Sequence, residues 1–272
     1  MQLEETMTKN QDLLIIAIQA AQKASVEILK IYSAPFDVEW KQDNSPLTAA
    51  DRASHQVISE ILKQTEIPVL SEEGQFDSFE KRGSWKNFWL VDPLDGTKEF
   101  VRRNGEFTIN IALMENNKPL LGLIHIPVKD VLYATDGTSF YKIEQTATRL
   151  FQSSLDLEAY ALIPSNEQRS KEVVRVLASR SHMSPETAAY VKNLEKEYDR
   201  VELLSAGSAL KFCLLAEGRA DVYPRFAPTM EWDTAAGHAL LKAVGKNILL
   251  VNSGQEMTYN KHSLVNDWFI AK

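Results

Sequence analysis

The chain of 272 residues is 44% hydrophobic and 25% charged, which is typical of a folded globular protein and argues against extensive disorder. Its formal net charge of −7, without a run of five Lys or Arg residues, argues against a nucleic-acid-binding groove. One cysteine, Cys213, excludes an intramolecular disulfide and a cysteine-rich zinc site. A protein this acidic would need bound metal ions to hold a phosphate group.

The N-terminus has no basic segment followed by a long apolar stretch, and its longest apolar run covers only residues 13–18. That run is far shorter than the roughly 20 residues of a membrane span. We therefore expect a cytoplasmic protein with no integral membrane segment, present as a monomer or a weak dimer. Peripheral association with the inner membrane stays an open alternative.

The first half of the chain begins with two helical patterns and continues with short strands. Apolar residues at spacings of three and four predict a helix over 12–32, and a second helix is predicted over 49–63. Apolar runs bounded by turn residues predict five strands, over 67–70, 88–91, 107–114, 120–126 and 131–134. Helices followed by successive strands favour an α+β arrangement.

Beyond about residue 145 helices and strands alternate. Strands are predicted over 159–163, 220–223 and 247–251, helices over 184–198, 206–217 and 233–244, and residues 174–178 fit either type. Such alternation favours an α/β arrangement. We therefore expect two parts, residues 1–145 and 146–272, packed as one unit.

The segment Asp92-Pro93-Leu94-Asp95-Gly96-Thr97 follows an apolar strand and carries two aspartates three residues apart. Pro93 restricts its own φ and Gly96 permits a tight turn, so both carboxylates and the Leu94 carbonyl can face one point. Hard oxygen ligands of this kind suit Mg²⁺, and the amides of Gly96 and Thr97 can hold a phosphate oxygen beside the metal. The competing interpretation is a plain turn, since Asp-Pro and Asp-Gly are both turn signals.

Three further acids lie at the ends of predicted elements. Glu72 follows a strand, where the alternative is a solvated loop residue. Asp51 follows Thr48 by three residues, and Asp233 lies at a predicted helix start. For both of these the alternative is ordinary capping of a helix N-terminus. The spacing by itself does not bring the four places together.

Two longer motifs give these acids a common context. Residues 92–100, Asp-Pro-Leu-Asp-Gly-Thr-Lys-Glu-Phe, and residues 232–238, Trp-Asp-Thr-Ala-Ala-Gly-His, resemble the two signatures of the inositol monophosphatase-like superfamily. Lys98-Glu99-Phe100 and the segments 207–213 and 223–226 are similar to its bisphosphate nucleotidase branch. The resemblance implies a layered α-β-α-β-α sandwich of mixed α+β and α/β character, with the site between its two halves.

The resemblance also implies Mg²⁺ as the cofactor and gives each acid a role. Two ions, with a third and weaker one near Asp51 and Glu72 as an alternative, are held by Glu72, Asp92, the Leu94 carbonyl, Asp95 and Asp233. Asp51 and Thr97 form a hydrogen-bonded catalytic pair that orients the attacking water and accepts its proton. On this basis residues 1–145 form a metal-site domain and residues 146–272 a substrate-recognition domain.

The same resemblance gives the expected substrate contacts. Gly96 and Thr97 hold the scissile phosphate beside Glu72, Asp95 and Asp233, and six residues complete the set: Lys98, Arg180, His182, Ser208, Lys211 and Arg225. The competing interpretations are surface cations for Lys211 and Arg225, and a solvated loop for Arg180 and His182. Lys98 fits an ion pair with a nearby acid equally well.

The implied reaction is Mg²⁺-dependent hydrolysis of the 3′-phosphate of adenosine 3′,5′-bisphosphate (PAP) to AMP and phosphate, in sulfate assimilation. Hydrolysis of 3′-phosphoadenosine 5′-phosphosulfate (PAPS) to adenosine 5′-phosphosulfate is a second candidate reaction, and lithium is an expected inhibitor. An inositol monophosphatase or a sugar-bisphosphatase is the alternative within the superfamily. A binding protein without turnover is disfavoured, because all the ligand carboxylates and Thr97 are present.

Overall fold

Five layers, alternately helical and β-sheet, make up the part of the chain that the computed structural model describes, residues 2–40, 46–153, 155–162, 172–178 and 183–272. The first layer consists of helices α1 (Gln2–Tyr32) and α2 (Ala49–Leu62). The antiparallel strands β1 (Val38–Trp40) and β2 (Pro46–Thr48) lie between them in the chain. Apolar side chains of both helices, such as Leu14 and Ile58, are fully buried against the next layer.

The second layer is a six-stranded sheet with strand order β3-β4-β5-β6-β7-β8. Its strands are β3 (Val69–Ser71), β4 (Asn87–Asp95), β5 (Thr108–Glu115), β6 (Lys118–Ile126), β7 (Val131–Thr135) and β8 (Phe140–Glu144). Within this sheet the β3–β4 pair is parallel and all the other neighbouring strands are antiparallel. Trp89 and Val91 of β4 face α1 and α2, whereas Phe88 and Leu90 face the opposite side. Both faces are buried, which explains the uninterrupted apolar run in β4.

The short helices α3 (Phe79–Arg82) and α4 (Thr97–Val101) lie in the connections of this first half, and α5 (Leu155–Glu158) follows β8. The outer layers use α6 (Pro185–Leu194), α7 (Leu210–Ala216) and α8 (Glu231–Ala243), with β9 (Val173–Leu177), β10 (Arg200–Leu204), β11 (Tyr223–Arg225), β12 (Ile248–Leu250) and β13 (Phe269–Ala271). Helices α7 and α8 form the third layer, and their apolar residues share one core with the six-stranded sheet.

Strands β10-β9 and β11-β13-β12 form the fourth layer, linked by the bridge between Val176 and Val222. Helix α6 covers this sheet through Val191, which makes the fifth layer. A glycine sets the distance between α7 and α8, because a Cβ at Gly237 would lie 2.3 Å from the Phe212 ring. This close approach fixes the position of α8 and therefore of its first turn, which carries Asp233.

The layered fold predicted from the sequence is confirmed, but several predicted bounds are wrong. Residues 159–162 form a turn and a single bridge to Tyr141 rather than a strand, and residue 163 lies outside the described part. The strand predicted over 220–223 runs instead over Tyr223–Arg225, and the helix predicted over 184–198 ends at Leu194. The predicted division near residue 145 stays a prediction. None of the described helices is both long enough and apolar enough to cross a membrane.

Two buried histidines, one in β6 and one in α8, make hydrogen bonds to other elements. The Nε2 atom of His125 lies 3.1 Å from Thr146 Oγ1. In His238, Nδ1 lies 3.0 Å from the Tyr259 hydroxyl and Nε2 lies 2.6 Å from Asn247 Oδ1. Burial lowers the pKa of each ring to about 4, because the charged form loses its hydration.

We expect acidification to destabilise the protein through these two rings. The unfolded chain takes up the protons near pH 6.5 and the folded protein near pH 4, so stability falls as the pH is lowered through this window. The whole window corresponds to about 3.5 kcal/mol per histidine at about 1.4 kcal/mol per pKa unit, of which about 2 kcal/mol falls between pH 7 and pH 5. Urea unfolding at pH 7 and pH 5 measures it. His238→Gln should lose less stability than the parent, and an equal loss would contradict the assignment.

Candidate active site

The start of α2 combines a helix cap with a contact to the next segment. The Thr48 amide and the Thr48 hydroxyl both donate to Asp51 Oδ2, each at 2.7 Å. The other carboxylate oxygen, Oδ1, accepts a hydrogen bond of 3.1 Å from Thr97 Oγ1. Asp51 Oδ2 therefore caps the helix, and Asp51 Oδ1 makes the contact predicted with Thr97. Burial raises the pKa of Asp51, more than its hydrogen bonds lower it.

A bulge at the end of β4 aims two aspartates. Asp92 pairs with Asn110 and Asp95 with Thr108, and the register shifts between these two pairs. The extra residue bends the strand, as bulges do. The Ser54 hydroxyl of α2 donates to the Pro93 carbonyl at 2.7 Å, which ties the bulge to the helix that carries Asp51.

Gly96 follows the bulge in a left-handed conformation, with φ of +90°. This conformation favours glycine, and a Cβ there would lie 3.2 Å from both Ser208 Cβ and Glu99 Oε2. Thr97 then begins α4. Residues 92–97 therefore form a turn, as their turn signals predict, and the same turn also carries Asp92 and Asp95.

Glu72 and Asp233 approach Asp92 and Asp95 from two other elements. The Glu72 amide donates to the Val91 carbonyl at 3.1 Å, which places this residue beside β4. Asp233 lies in the first turn of α8 and accepts a hydrogen bond of 2.8 Å from the Met230 amide.

The mutual charge of these acids shows that they lie close together. Burial, and then the charges of Glu72, Asp95 and Asp233, raise the pKa of Asp92 well above its usual range. Burial and the charge of Asp95 raise the pKa of Asp233 to about 8. Four carboxylates from β4, α8 and the segment after β3 therefore repel one another around the buried Asp92, with the other three partly exposed, and a divalent cation would relieve this repulsion.

The donor set fits Mg²⁺, because it consists of hard carboxylate and carbonyl oxygens. Within the described ranges, however, no three His, Cys, Asp or Glu side chains lie in an arrangement that could already hold a metal ion. The carboxylates instead accept local hydrogen bonds, from Met230 to Asp233 and from Ser208 to Asp95. To bind a shared ion, the side chains would have to turn their other oxygens, Asp95 Oδ1 and Asp233 Oδ1, toward it while Oδ2 of each keeps its hydrogen bond.

A cavity of about 490 Å³ opens beside Asp95 and Asp233. Of the other predicted contacts, Ser208, Lys211 and Arg225 line it, with Tyr223, Phe226 and Thr187 on its walls. Lys98 is exposed and lies outside the lining, as do Glu72, Gly96 and Thr97, so these four substrate contacts stay predictions. Arg180 and His182 lie outside the described residues. The cavity thus joins an acidic end to a wall that carries two of the predicted cations.

A known protein family matches nearly the whole chain. The chain matches the model of the inositol monophosphatase family over residues 9–268. The chain belongs to the inositol monophosphatase family.

Within this family the chain is similar to proteins named 3′(2′),5′-bisphosphate nucleotidase CysQ. It is 44% identical over 234 residues to that of Shigella flexneri, covering 85% of this chain and 87% of the relative. It is 38% identical over 260 residues to that of Buchnera aphidicola, covering 93% and 91%. The crystal structure of CysQ from Bacteroides thetaiotaomicron matches with a TM-score of 0.86 and 46% identity, over 96% and 97% of the two chains.

These matches confirm three predictions made from the sequence: the superfamily, its bisphosphate nucleotidase branch, and a phosphatase enzyme. The inositol monophosphatase family, and the structural match to CysQ, also fit the predicted dependence on Mg²⁺.

The sequence did not single out Thr108 and Asn110, two buried polar residues beside Asp95. The signal was present in Thr108-Ile109-Asn110-Ile111, where polar and apolar residues alternate. In a strand buried on both faces, polar residues on one face need partners. Glu99, Arg102 and Glu106 also line the cavity and were not predicted.

Proposed function

We propose that this protein is a Mg²⁺-dependent phosphatase that hydrolyses the 3′-phosphate of PAP to AMP and phosphate. The observation that supports this most is the cavity that joins Asp95 and Asp233 to Lys211 and Arg225. Its acidic end suits metal ions and a scissile phosphate, and Lys211 and Arg225 suit a second anionic group on the same small substrate. A nucleotide with phosphates at two positions meets both requirements, and the names of the relatives point to the same substrate class.

In this proposal Glu72, Asp92 and the Leu94 carbonyl hold one Mg²⁺, and Asp92, Asp95 and Asp233 hold a second. A third ion near Asp51 and Glu72 is a further option. When bound, such ions supply an acidified water and neutralise charge on the phosphoryl and leaving oxygens. The part of the chain before residue 146 then provides most ligands, and Asp233 comes from the part after it.

Asp51 and Thr97 hold and move the proton in this proposal. The Thr97 hydroxyl donates to Asp51 Oδ1, which leaves the lone pairs of Thr97 Oγ1 free to orient a water molecule. A proton taken from that water onto Thr97 Oγ1 is matched by transfer of the Thr97 hydrogen to Asp51. The raised pKa of the Asp51 carboxyl makes it a better proton acceptor than an exposed aspartate.

Arg225 is proposed to hold the 5′-phosphate. Its Nε is buried and has no hydrogen-bond partner among the described residues, while Nη2 makes only a long contact of 3.4 Å to the Pro228 carbonyl. A guanidinium with unused donors at a cavity wall suits a phosphate. Lys211 is held beside it, with Nζ 3.0 Å from the Ser208 carbonyl and over the Tyr223 ring.

We expect Arg225→Gln to raise the KM for PAP by about 10- to 100-fold, as the loss of one charge-assisted phosphate contact of about 1.5–3 kcal/mol would do. The matched control is 3′-AMP, which lacks the 5′-phosphate and should lose little on the same substitution. Steady-state kinetics on both substrates give the comparison. An equal loss on the two substrates would show that Arg225 does not read the second phosphate.

The proposed reaction is tested by phosphate release from PAP with Mg²⁺, with EDTA, and with EDTA followed by excess Mg²⁺. Activity should disappear with EDTA and return with Mg²⁺. A panel of PAPS, inositol 1-phosphate and fructose 1,6-bisphosphate tests the second substrate and the alternative functions within the family. A higher kcat/KM for either of the last two than for PAP would replace the proposed substrate, and undiminished turnover without metal would overturn the mechanism.

A further inference from the structure

We infer that Thr108 and Ser208 are positioning residues that hold the Asp95 carboxylate and join it to the substrate loop, defined here as residues 205–209. All five residues of this loop line the cavity. The inference rests on the proposed function, in which Asp95 is a metal ligand. It adds that the metal site and the nucleotide site share one hydrogen-bond chain, and that one link of this chain lies out of reach of any substrate.

The chain of contacts begins at the substrate loop. Ser208 Oγ lies 2.6 Å from Asp95 Oδ2 and 3.0 Å from the Asp95 carbonyl, and donates toward both. Because the Ser208 hydrogen goes to Asp95, the Thr108 hydroxyl donates to Ser208 Oγ at 2.7 Å, and Asn110 Oδ1 lies 2.9 Å from the same Thr108 Oγ1. The Ser208 hydroxyl is therefore directed at the acid and at β5 and holds Asp95, while the nucleotide contact expected from the sequence stays a prediction.

Thr108 has no access to the substrate. Its residue is 0% exposed, and it does not line the cavity. It pairs with Asp95 across β4 and β5, immediately after the bulge, so the strand register fixes its hydroxyl beside the carboxylate. Because Thr108 touches neither substrate nor solvent, any effect of its hydroxyl on the metal must pass through Asp95, by way of Ser208 or of Asn110, whose Nδ2 lies 3.4 Å from Asp95 Oδ2.

Glu106 packs against the substrate loop at Gly207. The Gly207 amide donates to Glu106 Oε2 at 2.8 Å, and a Cβ at Gly207 would lie 2.9 Å from Glu106 Cβ. Ser208 has a positive φ of 51°, a strained conformation for a residue other than glycine. A loop held in this way places Ser208 Oγ at a defined point. Nucleotide contacts that hold the loop should therefore also favour the Asp95 orientation, and by linkage bound metal should favour nucleotide binding.

The decisive experiment removes the Thr108 hydroxyl without changing the shape of the side chain. In Thr108→Val we expect Mg²⁺ to bind about 10-fold more weakly, the lower end of the 10- to 100-fold range for residues that orient metal ligands. Calorimetry of the metal-free protein with Mg²⁺ alone measures this without turnover. The Mg²⁺ concentration for half-maximal phosphate release should shift in parallel, while kcat at saturating Mg²⁺ stays within about threefold.

Thr108→Ser is the matched control, because it keeps the hydroxyl and should bind Mg²⁺ like the parent. Ser208→Gly removes the other hydroxyl at a φ that suits glycine, and it should weaken Mg²⁺ binding in the same direction. Melting temperatures show that each variant is folded.

The outcomes separate the two proposals. If the parent binds Mg²⁺ and releases phosphate from PAP, but folded Thr108→Val binds Mg²⁺ with parental affinity, the positioning role alone is wrong. Equal weakening by Thr108→Val and Thr108→Ser would show that the hydroxyl is not the cause, and would also overturn it. If the parent itself binds no Mg²⁺, the proposed function is wrong and the positioning role falls with it.

Discussion

Replacing Asp233 with asparagine is expected to lower phosphate release from PAP by about 1,000-fold while raising the melting temperature of the metal-free protein. The loss of activity follows from the loss of a metal-binding charge, at about 1.4 kcal/mol per tenfold in rate and several kcal/mol for the electrostatic role of a metal. Asparagine keeps an oxygen that can accept from the Met230 amide, so the start of α8 should stay intact.

The gain in stability follows from the pKa of Asp233, which burial and the charge of Asp95 raise to about 8. A raised pKa means that the folded state disfavours the ionised carboxylate, so above pH 8 the parent keeps a destabilising charge that Asp233→Asn lacks. Thermal melts in EDTA at pH 9 measure this difference. Asp221→Asn is the control, because it breaks the ion pair with Arg175 and should lower stability without a large effect on kcat. A lower melting temperature for Asp233→Asn would contradict the assignment.

Thr97→Ala is expected to lower kcat by 100-fold or more and to leave Mg²⁺ binding within about twofold of the parent. The substitution removes the hydroxyl that bonds Asp51 Oδ1, and general-base steps of this kind contribute about 10²–10⁴-fold. None of the four metal-binding carboxylates of the proposal changes. Stopped assays at saturating Mg²⁺ and calorimetry with Mg²⁺ alone separate turnover from metal affinity.

Thr97→Ser is the matched variant, since it keeps the hydroxyl at the same position and should recover most of the activity. The pattern differs from that of Asp233→Asn, which should lose metal affinity and turnover together. Full turnover by Thr97→Ala at saturating Mg²⁺ would show that water activation does not depend on this hydroxyl.

The proposed metal site could be predicted from the sequence because its parts are local and chemically distinctive. Asp92 and Asp95 stand three residues apart beside Pro93 and Gly96, and each of these residue types restricts the backbone in a recognisable way. Asp51 and Asp233 occupy helix starts, where the sequence signal is the same for a cap and for a ligand. The structure shows that both acids accept cap hydrogen bonds, with Asp51 also bonded to Thr97 and Asp233 also at the cavity wall.

Other parts could not be predicted because they depend on long-range packing. The pairing of Thr108 with Asp95 requires the bulge in β4, and nothing local in residues 92–95 fixes how many residues it contains. Strand β10 was also missed, because its residues Arg200–Leu204 are only partly buried and show no clear alternation. Its position is set by parallel pairing with β9, which is remote in the chain.

The double use of Asp51 has a consequence for the order in which the site is assembled. Thr48 and Asp51 complete the start of α2 with hydrogen bonds that need no cation, so folding itself positions the proposed proton acceptor. The repulsion between Asp92 and Asp233, in contrast, would be relieved only by the proposed Mg²⁺. The Thr48 hydroxyl therefore links stability to turnover. A substitution that removes it would weaken the cap of α2 and also change the surroundings of the proposed base, although the Thr48 amide bond to Asp51 would stay.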